Sequence, residues 1–392
     1  MTAYLQRQIR GKNGYKKGFC KAEFLFFSEK EDGIAGNTLL ADAYTRYLKR
    51  MFLKTIVWRA AYMKIAFFST KPYDKIWFEP MGKEYGFEIH FYEAPFHEET
   101  VSLAKGYDAV CIFVNDYVNA AMIQQLYDMH VKALLLRSAG FNHVDVKAAE
   151  DKIQVLRVPS YSPEAVAEFA MAMLMTVNRY THKAYNRTRE FNMSLYGLMG
   201  VDLYHKTAGV VGTGKIGQAM IRICNGYGME VLAYDPYPNK GVEAEYVSVQ
   251  ELMERSDVIS LHCPLTSETK HLVNAQTIAN MKDGVYLVNT SRGALIDTDA
   301  LIDGLVDGKF GGVGLDVYEE EEGIFYEDKS NEIMRDENLA RLMTFPNVLI
   351  TSHMGFFTKE AMQAIAKVTL ENAYALENGL PLVNKVGSEA AK

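Results

Sequence analysis

Six short runs in the second half of the chain, AGVVG, EVLAYD, VISLHCP, VYLVNTS, GGVGLDVYE and NVLITSH, are rich in Val, Leu and Ile and almost unbroken in apolar character. A strand with one wet face alternates apolar and polar residues, whereas a strand buried on both faces reads as a continuous apolar stretch. Segments of helical length separate these runs, so the pattern predicts a parallel sheet covered on both sides by helices. An earlier series, KIAFFS, FEIHFYE, AVCIFV and KALLLRS, has the same rhythm. The expected fold class is α/β, with two doubly wound parallel-sheet domains joined near residues 160 and 355.

SPEAVAEFAMAMLMTVNRY (162–180) carries helix-start chemistry, with Ser162 as N-cap and Pro163 at the first helical position. Its methionines are read as core packing. The final helix, 358–378, is expected to return to the first domain. Met63 opens the alternating run MKIAFFST and is taken as the effective start of the fold. Residues 1–62 show no sustained period and hold twelve Lys/Arg against five Asp/Glu. They read as a basic extension outside the fold.

With 48% apolar and 23% charged residues, the chain has material for two cores. Its net charge of −7 gives no reason to expect nucleic acid as a partner. No window approaches the roughly 18 apolar residues of a membrane span, so no membrane partner and a cytoplasmic location are expected. Cys20, Cys111, Cys224 and Cys263 lie far apart, without metal-ligand spacing to any histidine. They are read as reduced thiols, and no metal site is expected.

AGVVGTGKIGQAM places Gly212, Thr213, Gly214, Lys215, Ile216 and Gly217 directly after a strand and at the head of an amphipathic helix. Gly212 suits a tight turn, Gly214 lets the backbone approach a pyrophosphate, and Gly217 permits close packing of helix on strand. The helix N-terminus then faces the anion. Asp235 ends the next strand run, eighteen residues after Gly217. A carboxylate there accepts from both ribose hydroxyls and repels a 2′-phosphate, so NAD rather than NADP is the expected cofactor in a Rossmann-like domain. His262, Cys263 and Pro264 close the third strand of this domain and are expected to line the adenine side.

In VNTSRGALID, an always-charged fork, Arg292, follows a buried strand run. Ligands of doubly wound sheets bind beyond the carboxyl ends of the strands, where an arginine can grip a small carboxylate with two parallel donors. Thr290 and Ser291, just before it, are assigned to the cofactor. Two further runs end in Asp316 with Glu321 five residues on, and in His353. Parallel strands deliver all of these to one crevice. Carbonyl reduction by a dihydronicotinamide needs a carboxylate anchor, a proton donor that titrates near neutrality, and a group that keeps the donor protonated. Histidine is that donor type, and a neighbouring glutamate favours imidazolium.

Seven stretches, LLLRSAGFNHVD, VPSYSPEAVAEF, VVGTGKIGQ, LHCPLTSET, VNTSRGALIDT, GLDVYEEEEGIFYED and NVLITSHMGFFT, together resemble the NAD-dependent D-2-hydroxyacid dehydrogenases over about residues 63–385, closest to the fermentative D-lactate branch. The resemblance implies a substrate domain interrupted in sequence (63–161 and 356–392) and an NAD-binding domain (162–355), with Arg292 on the substrate carboxylate, His353 as acid and base, and Glu321 as its partner. It implies Asp316 as a further acid near the nicotinamide. Backbone N–H groups of Ala139 and Gly140 would meet the same carboxylate, Phe113 and Tyr161 would border the pocket, and Phe356 would cover the substrate side chain. The implied partner is a small 2-keto or 2-hydroxy acid, pyruvate first, and the implied assembly a homo-oligomer, dimer or tetramer. A bulkier acid (phenylpyruvate or 2-ketoisocaproate) or an NAD-sensing interaction protein on the same scaffold is the alternative. The chain has Ser352, His353, Met354 and Gly355 where many relatives have P-H-T-A, keeping the histidine alone, and Phe113 where some lactate enzymes carry tyrosine.

Overall fold

The structure, a computed structural model, describes residues 63–387 apart from residue 240; the expectations placed on 1–62, Cys20 and 388–392 lie outside the described residues. Met63 is the first residue of a compact unit. Two all-parallel sheets form within it. The first contains β1 (Lys64–Phe67), β2 (Glu88–Phe91), β3 (Ala109–Ile112), β4 (Ala133–Leu136) and β5 (Gln154–Leu156), in the order β2-β1-β3-β4-β5. The second holds β6 (Thr207–Val211), β7 (Glu230–Tyr234), β8 (Glu245–Tyr246), β9 (Val258–Leu261), β10 (Val285–Asn289), β11 (Phe310–Leu315) and β12 (Val348–Ile350), in the order β12-β11-β10-β9-β6-β7-β8.

The runs without polar interruption are the ones buried on both faces: every residue of β3, β4, β9 and β10 is buried. β2, at a sheet edge, alternates exposed and half-buried positions as its sequence FEIHFYE suggests. In each sheet the strand order reverses between adjacent strands, β1 and β3 in the first, β6 and β9 in the second. A crevice opens at such a reversal, beyond the strands' carboxyl ends.

Four helices set the geometry of that crevice: α1 (Pro72–Tyr85), α2 (Pro163–Arg179), α3 (Lys215–Gly226) and α4 (Lys359–Glu377). α2 starts as its sequence indicates, the Ser162 hydroxyl accepting from the Ala165 amide. Met171 and Met173 are buried in one core with Val210 and Met220 of the second sheet's layer, so the methionine face is packing. α4 turns back to the first sheet: Met362, Ile365, Ala366, Leu370 and Ala373 share a core with Ile65, Phe67 and Phe78. The described cysteines, Cys111, Cys224 and Cys263, are free and buried.

Candidate functional site

At the end of β6 the chain turns through Gly212 at φ 92°, a left-handed conformation that glycine adopts without penalty. A β-carbon there would lie 2.7 Å from the backbone of His262 and Cys263, and one on Gly217 would lie 1.9 Å from the Gly212 carbonyl oxygen. Both glycines let the turn, the neighbouring strand end and α3 close on one another. Gly214 is different, since nothing lies within 4 Å of its missing side chain. It is the N-cap of α3 and offers no capping side chain. The helix therefore starts at an exposed, side-chain-free cradle, flanked by the exposed Lys215 and half-buried Ile216.

The neighbouring residues fit a dinucleotide. Asp235, one residue past β7, accepts from the Thr213 amide at 2.7 Å and its hydroxyl at 3.1 Å, which fixes the carboxylate beside the glycine turn. His262 shares a hydrogen bond with the Ser260 hydroxyl at 2.8 Å, and burial pushes its imidazole down to about 4, so it is neutral. The Cys263 carbonyl accepts from the Ser291 hydroxyl at 2.7 Å, while burial pushes the Cys263 thiol up to about 11. Pro264 stands exposed beside them. Thr290 is buried and its hydroxyl has no partner among the described residues, an unsatisfied polar group of the kind a bound ligand satisfies. Removing the negative charge at Asp235 by Asp235→Ala is expected to raise the NADPH-to-NADH efficiency ratio by about tenfold or more (~1.4 kcal/mol), read from kcat/KM with each cofactor.

Arg292 lies three residues past β10. Asn289 secures the turn, accepting from the Ser291 amide at 3.0 Å and donating to the Arg292 carbonyl at 2.8 Å. Gly293 then packs so closely on Tyr318 that a β-carbon would lie 2.0 Å from its carbonyl carbon, which sets the arginine beside the loop after β11. The guanidinium donates from Nη1 to the Ser291 carbonyl at 2.6 Å, and its Nη2 lies against Gly140, where a β-carbon would come within 2.3 Å. Among the described residues no carboxylate pairs with it. The arginine of one sheet thus meets the glycine turn of the other with its charge unmatched. On that turn the amides of Ala139 and Gly140 donate to no protein group among the described residues.

His353, three residues past β12, is in the left-handed region at φ 54° and is held on three sides. Its amide donates to the Asp316 carbonyl at 2.7 Å, its carbonyl accepts from the Tyr326 hydroxyl at 2.9 Å, and its Nδ1 meets Glu321 Oε1 at 2.9 Å. Glu321 is steadied in turn by the Tyr318 amide on Oε2 at 3.1 Å. With Nδ1 fixed, Nε2 is the nitrogen left without a partner among the described residues. The acidic run 319–322 divides by position: Glu321 faces His353, Glu319 pairs with His271 at 2.7 Å, and Glu320 and Glu322 are exposed.

Asp316 lies one residue past β11. Its buried carboxylate accepts from the Thr351 hydroxyl at 2.5 Å and from the amides of Met354 and Gly355 at 2.8 and 2.7 Å. Burial raises its pKa, and these donors oppose the rise. Asp316 is the staple that holds the histidine loop. Asp316→Asn keeps the shape but puts an NH₂ where an oxygen accepted; it is expected to lower stability by about 1.5–3 kcal/mol, seen in thermal unfolding, with kcat falling more than NADH affinity.

Between the sheets stands an aromatic wall. The Phe113 ring lies 5.0 Å from Tyr326 and 6.1 Å from Phe356, and Phe356 lies 6.3 Å from Tyr161. The Tyr326 ring also lies 6.1 Å from that of His353, tilted by 31°. Sequence reasoning missed Tyr326, which both packs the wall and holds the histidine. It also missed His143, whose buried Nε2 has no partner and whose imidazole is pushed down to about 4 by burial and by the Arg292 and Arg137 charges. Both residues fall inside stretches singled out for their resemblance, but neither is a strand-end residue, so position in the chain gave them no weight.

A model of the family described as D-isomer specific 2-hydroxyacid dehydrogenase, NAD binding domain, matches residues 171–355. The chain is 52% identical over 321 residues to a 2-hydroxyacid dehydrogenase homolog of Haemophilus influenzae, covering 81% of this chain and 97% of that protein. It is 49% identical to the D-lactate dehydrogenase of Escherichia coli, covering 83% and 100%. The apo structure of the Escherichia coli D-lactate dehydrogenase superposes with a TM-score of 0.76 at 48% identity, covering 83% of this chain and all of that one.

Proposed function

Since the chain belongs to the D-isomer specific 2-hydroxyacid dehydrogenase family, we propose that it reduces pyruvate to D-lactate with NADH and catalyses the reverse oxidation. The observation that carries this reading is the unpaired Arg292 fork lying against Gly140, its neighbour Gly293 packed on Tyr318, whose amide holds the Glu321 carboxylate that fixes His353 Nδ1. The glycine turn, Asp235 and Thr290 would hold NADH, which would supply the hydride for the substrate's carbonyl carbon. Arg292 binds the carboxylate with two donors and draws charge from the keto oxygen, while the amides of Ala139 and Gly140 meet the same anion. His353 gives the Nε2 proton to that oxygen as it becomes the hydroxyl, and takes it back in oxidation. Glu321 fixes the ring's orientation through Nδ1. On this reading the described residues of 63–161 and 356–392 form the substrate side and those of 162–355 the cofactor side.

The test is NADH oxidation with pyruvate followed by chiral analysis of the product, D-lactate being expected. An efficiency maximum on phenylpyruvate or 2-ketoisocaproate would reject lactate as the natural product. A cytoplasmic location is in keeping with this cofactor chemistry and with the free thiols of Cys111, Cys224 and Cys263. Among the described residues no helix is long and apolar enough to cross a membrane. Phe191, Leu195, Tyr196 and Met199, between 82% and 91% exposed, form an apolar surface that supports a homo-oligomer. Light scattering is expected to give a dimer or tetramer mass.

A further inference from the structure

Behind the aromatic wall lies a buried ion pair that the proposed chemistry does not use. Arg137, one residue past β4, is 3% exposed, and its Nε stands 3.7 Å from Asp74 Oδ1 on α1, also 3% exposed at the side chain. Asp74 is held by the Lys71 amide at 2.9 Å, and Arg137 Nη2 donates to the Ser69 carbonyl at 2.9 Å. The pair is poorly made. Its separation is too long for a hydrogen bond, and Nε and Nη1 are buried without a partner. Burial of both charges and two unsatisfied donors oppose folding, and apolar residues of the same volume would do as well or better. Stability alone does not explain an arginine here.

What the guanidinium touches does. Its central carbon lies 4.4 Å from the centre of the Phe67 ring and 4.7 Å from that of Phe113, so the planar cation is placed at both rings. Phe67 is a buried core residue of β1, its ring packed against those of Phe78 and Phe91. Phe113 is the ring of the wall, in contact on its other side with Tyr326 and Phe356. The void bounded by Arg137, Phe113, Phe356 and Met362 has a volume of about 10 Å³, room for about one water and for no receding ring.

We propose that Arg137, fixed by Asp74, is a positioning residue that locks the Phe113 ring and thereby restricts the site to 2-keto acids with small side chains. The inference rests on the pyruvate reading. A desolvated cation over an aromatic face is among the stronger contacts of its kind, and its planarity is what orients the ring. With Phe113 locked and only a water-sized void behind it, a branched side chain has nowhere to go.

The test compares kcat/KM for pyruvate with that for 2-ketoisocaproate in the parent enzyme, in Arg137→Lys, and in the double variant Asp74→Asn/Arg137→Met, which removes both charges at nearly constant volume. The ratio is expected to fall by about tenfold or more in the double variant and by about threefold in Arg137→Lys, which keeps the charge but loses the planar stack. NADH affinity is expected to stay within about twofold of the parent. A merely structural pair would lower both efficiencies together, and an unchanged ratio overturns the inference. If the double variant yields no folded protein, Arg137→Lys decides alone. Parent turnover of pyruvate separates the two proposals: its absence overturns both, whereas its presence with an unmoved ratio overturns only this one.

Discussion

Replacing His353 by alanine is expected to slow pyruvate reduction by about 10²–10⁴-fold, the usual worth of a positioned proton donor. The loss should fall on kcat and kcat/KM alike, because the proton moves only as the carbonyl is reduced. NADH affinity should hold, since the glycine turn, Asp235 and Thr290 lie on other strand ends. Glu321→Gln is the informative companion. The amide can still meet Nδ1 at the 2.9 Å seen for the glutamate, but it lacks the carboxylate's negative charge beside the ring. Its rate should therefore lie between those of the parent and His353→Ala. Steady-state NADH oxidation checks both, and retention of near-parent rates by the alanine variant would remove the histidine from the mechanism.

Arg292→Ala should show the next largest effect, a fall in kcat/KM for pyruvate of roughly 30- to 4,000-fold, corresponding to the ~2–5 kcal/mol lost when one partner of a close charge pair is removed. KM should rise, and kcat should fall as well, since the fork both holds the carboxylate and polarises the keto oxygen. Stability gives an independent readout. An arginine that served a protein carboxylate would leave a stranded charge on removal; Arg292 has no such partner among the described residues, so the melting transition should move by no more than about 0.5 kcal/mol in stability. Arg292→Lys should recover only part of the activity, because an ammonium cannot present two parallel donors. A variant that is badly destabilised yet fully active per folded molecule would contradict the assignment.

The parts of this site legible in the sequence are those where one residue type at one place leaves few physical choices. A glycine followed two and five residues later by others, between a strand run and a helix, admits one geometry, and the structure shows it in the 1.9 Å that a β-carbon on Gly217 would leave to Gly212. Arginine, glutamate and histidine at strand ends were legible because parallel strands share an exit side. β5 and β8 were not. QVL is only three residues and Glu245–Tyr246 is two, largely polar, and each is a strand only because a neighbour pairs with it: Leu134 opposite Val155, Ala233 opposite Tyr246. The role of Asp316 was hidden for a similar reason, because the groups it holds lie 35 to 39 residues further along. The Asp74–Arg137 pair spans still more chain, and a lone arginine after a strand run says nothing about which rings it will meet.

The return of α4 to the first sheet bears on how the polypeptide is made. Synthesis delivers β1 to β5 first, yet the hydrophobic layer over one side of that sheet lacks Met362, Ile365, Leu370 and Ala373 until after the whole seven-stranded half has been made. The seven-stranded half, wholly contained between residues 163 and 350, can close before then. The half begun first is thus finished last, and released chains truncated before residue 359 should keep β1 to β5 open to protease while β6 to β12 resist it.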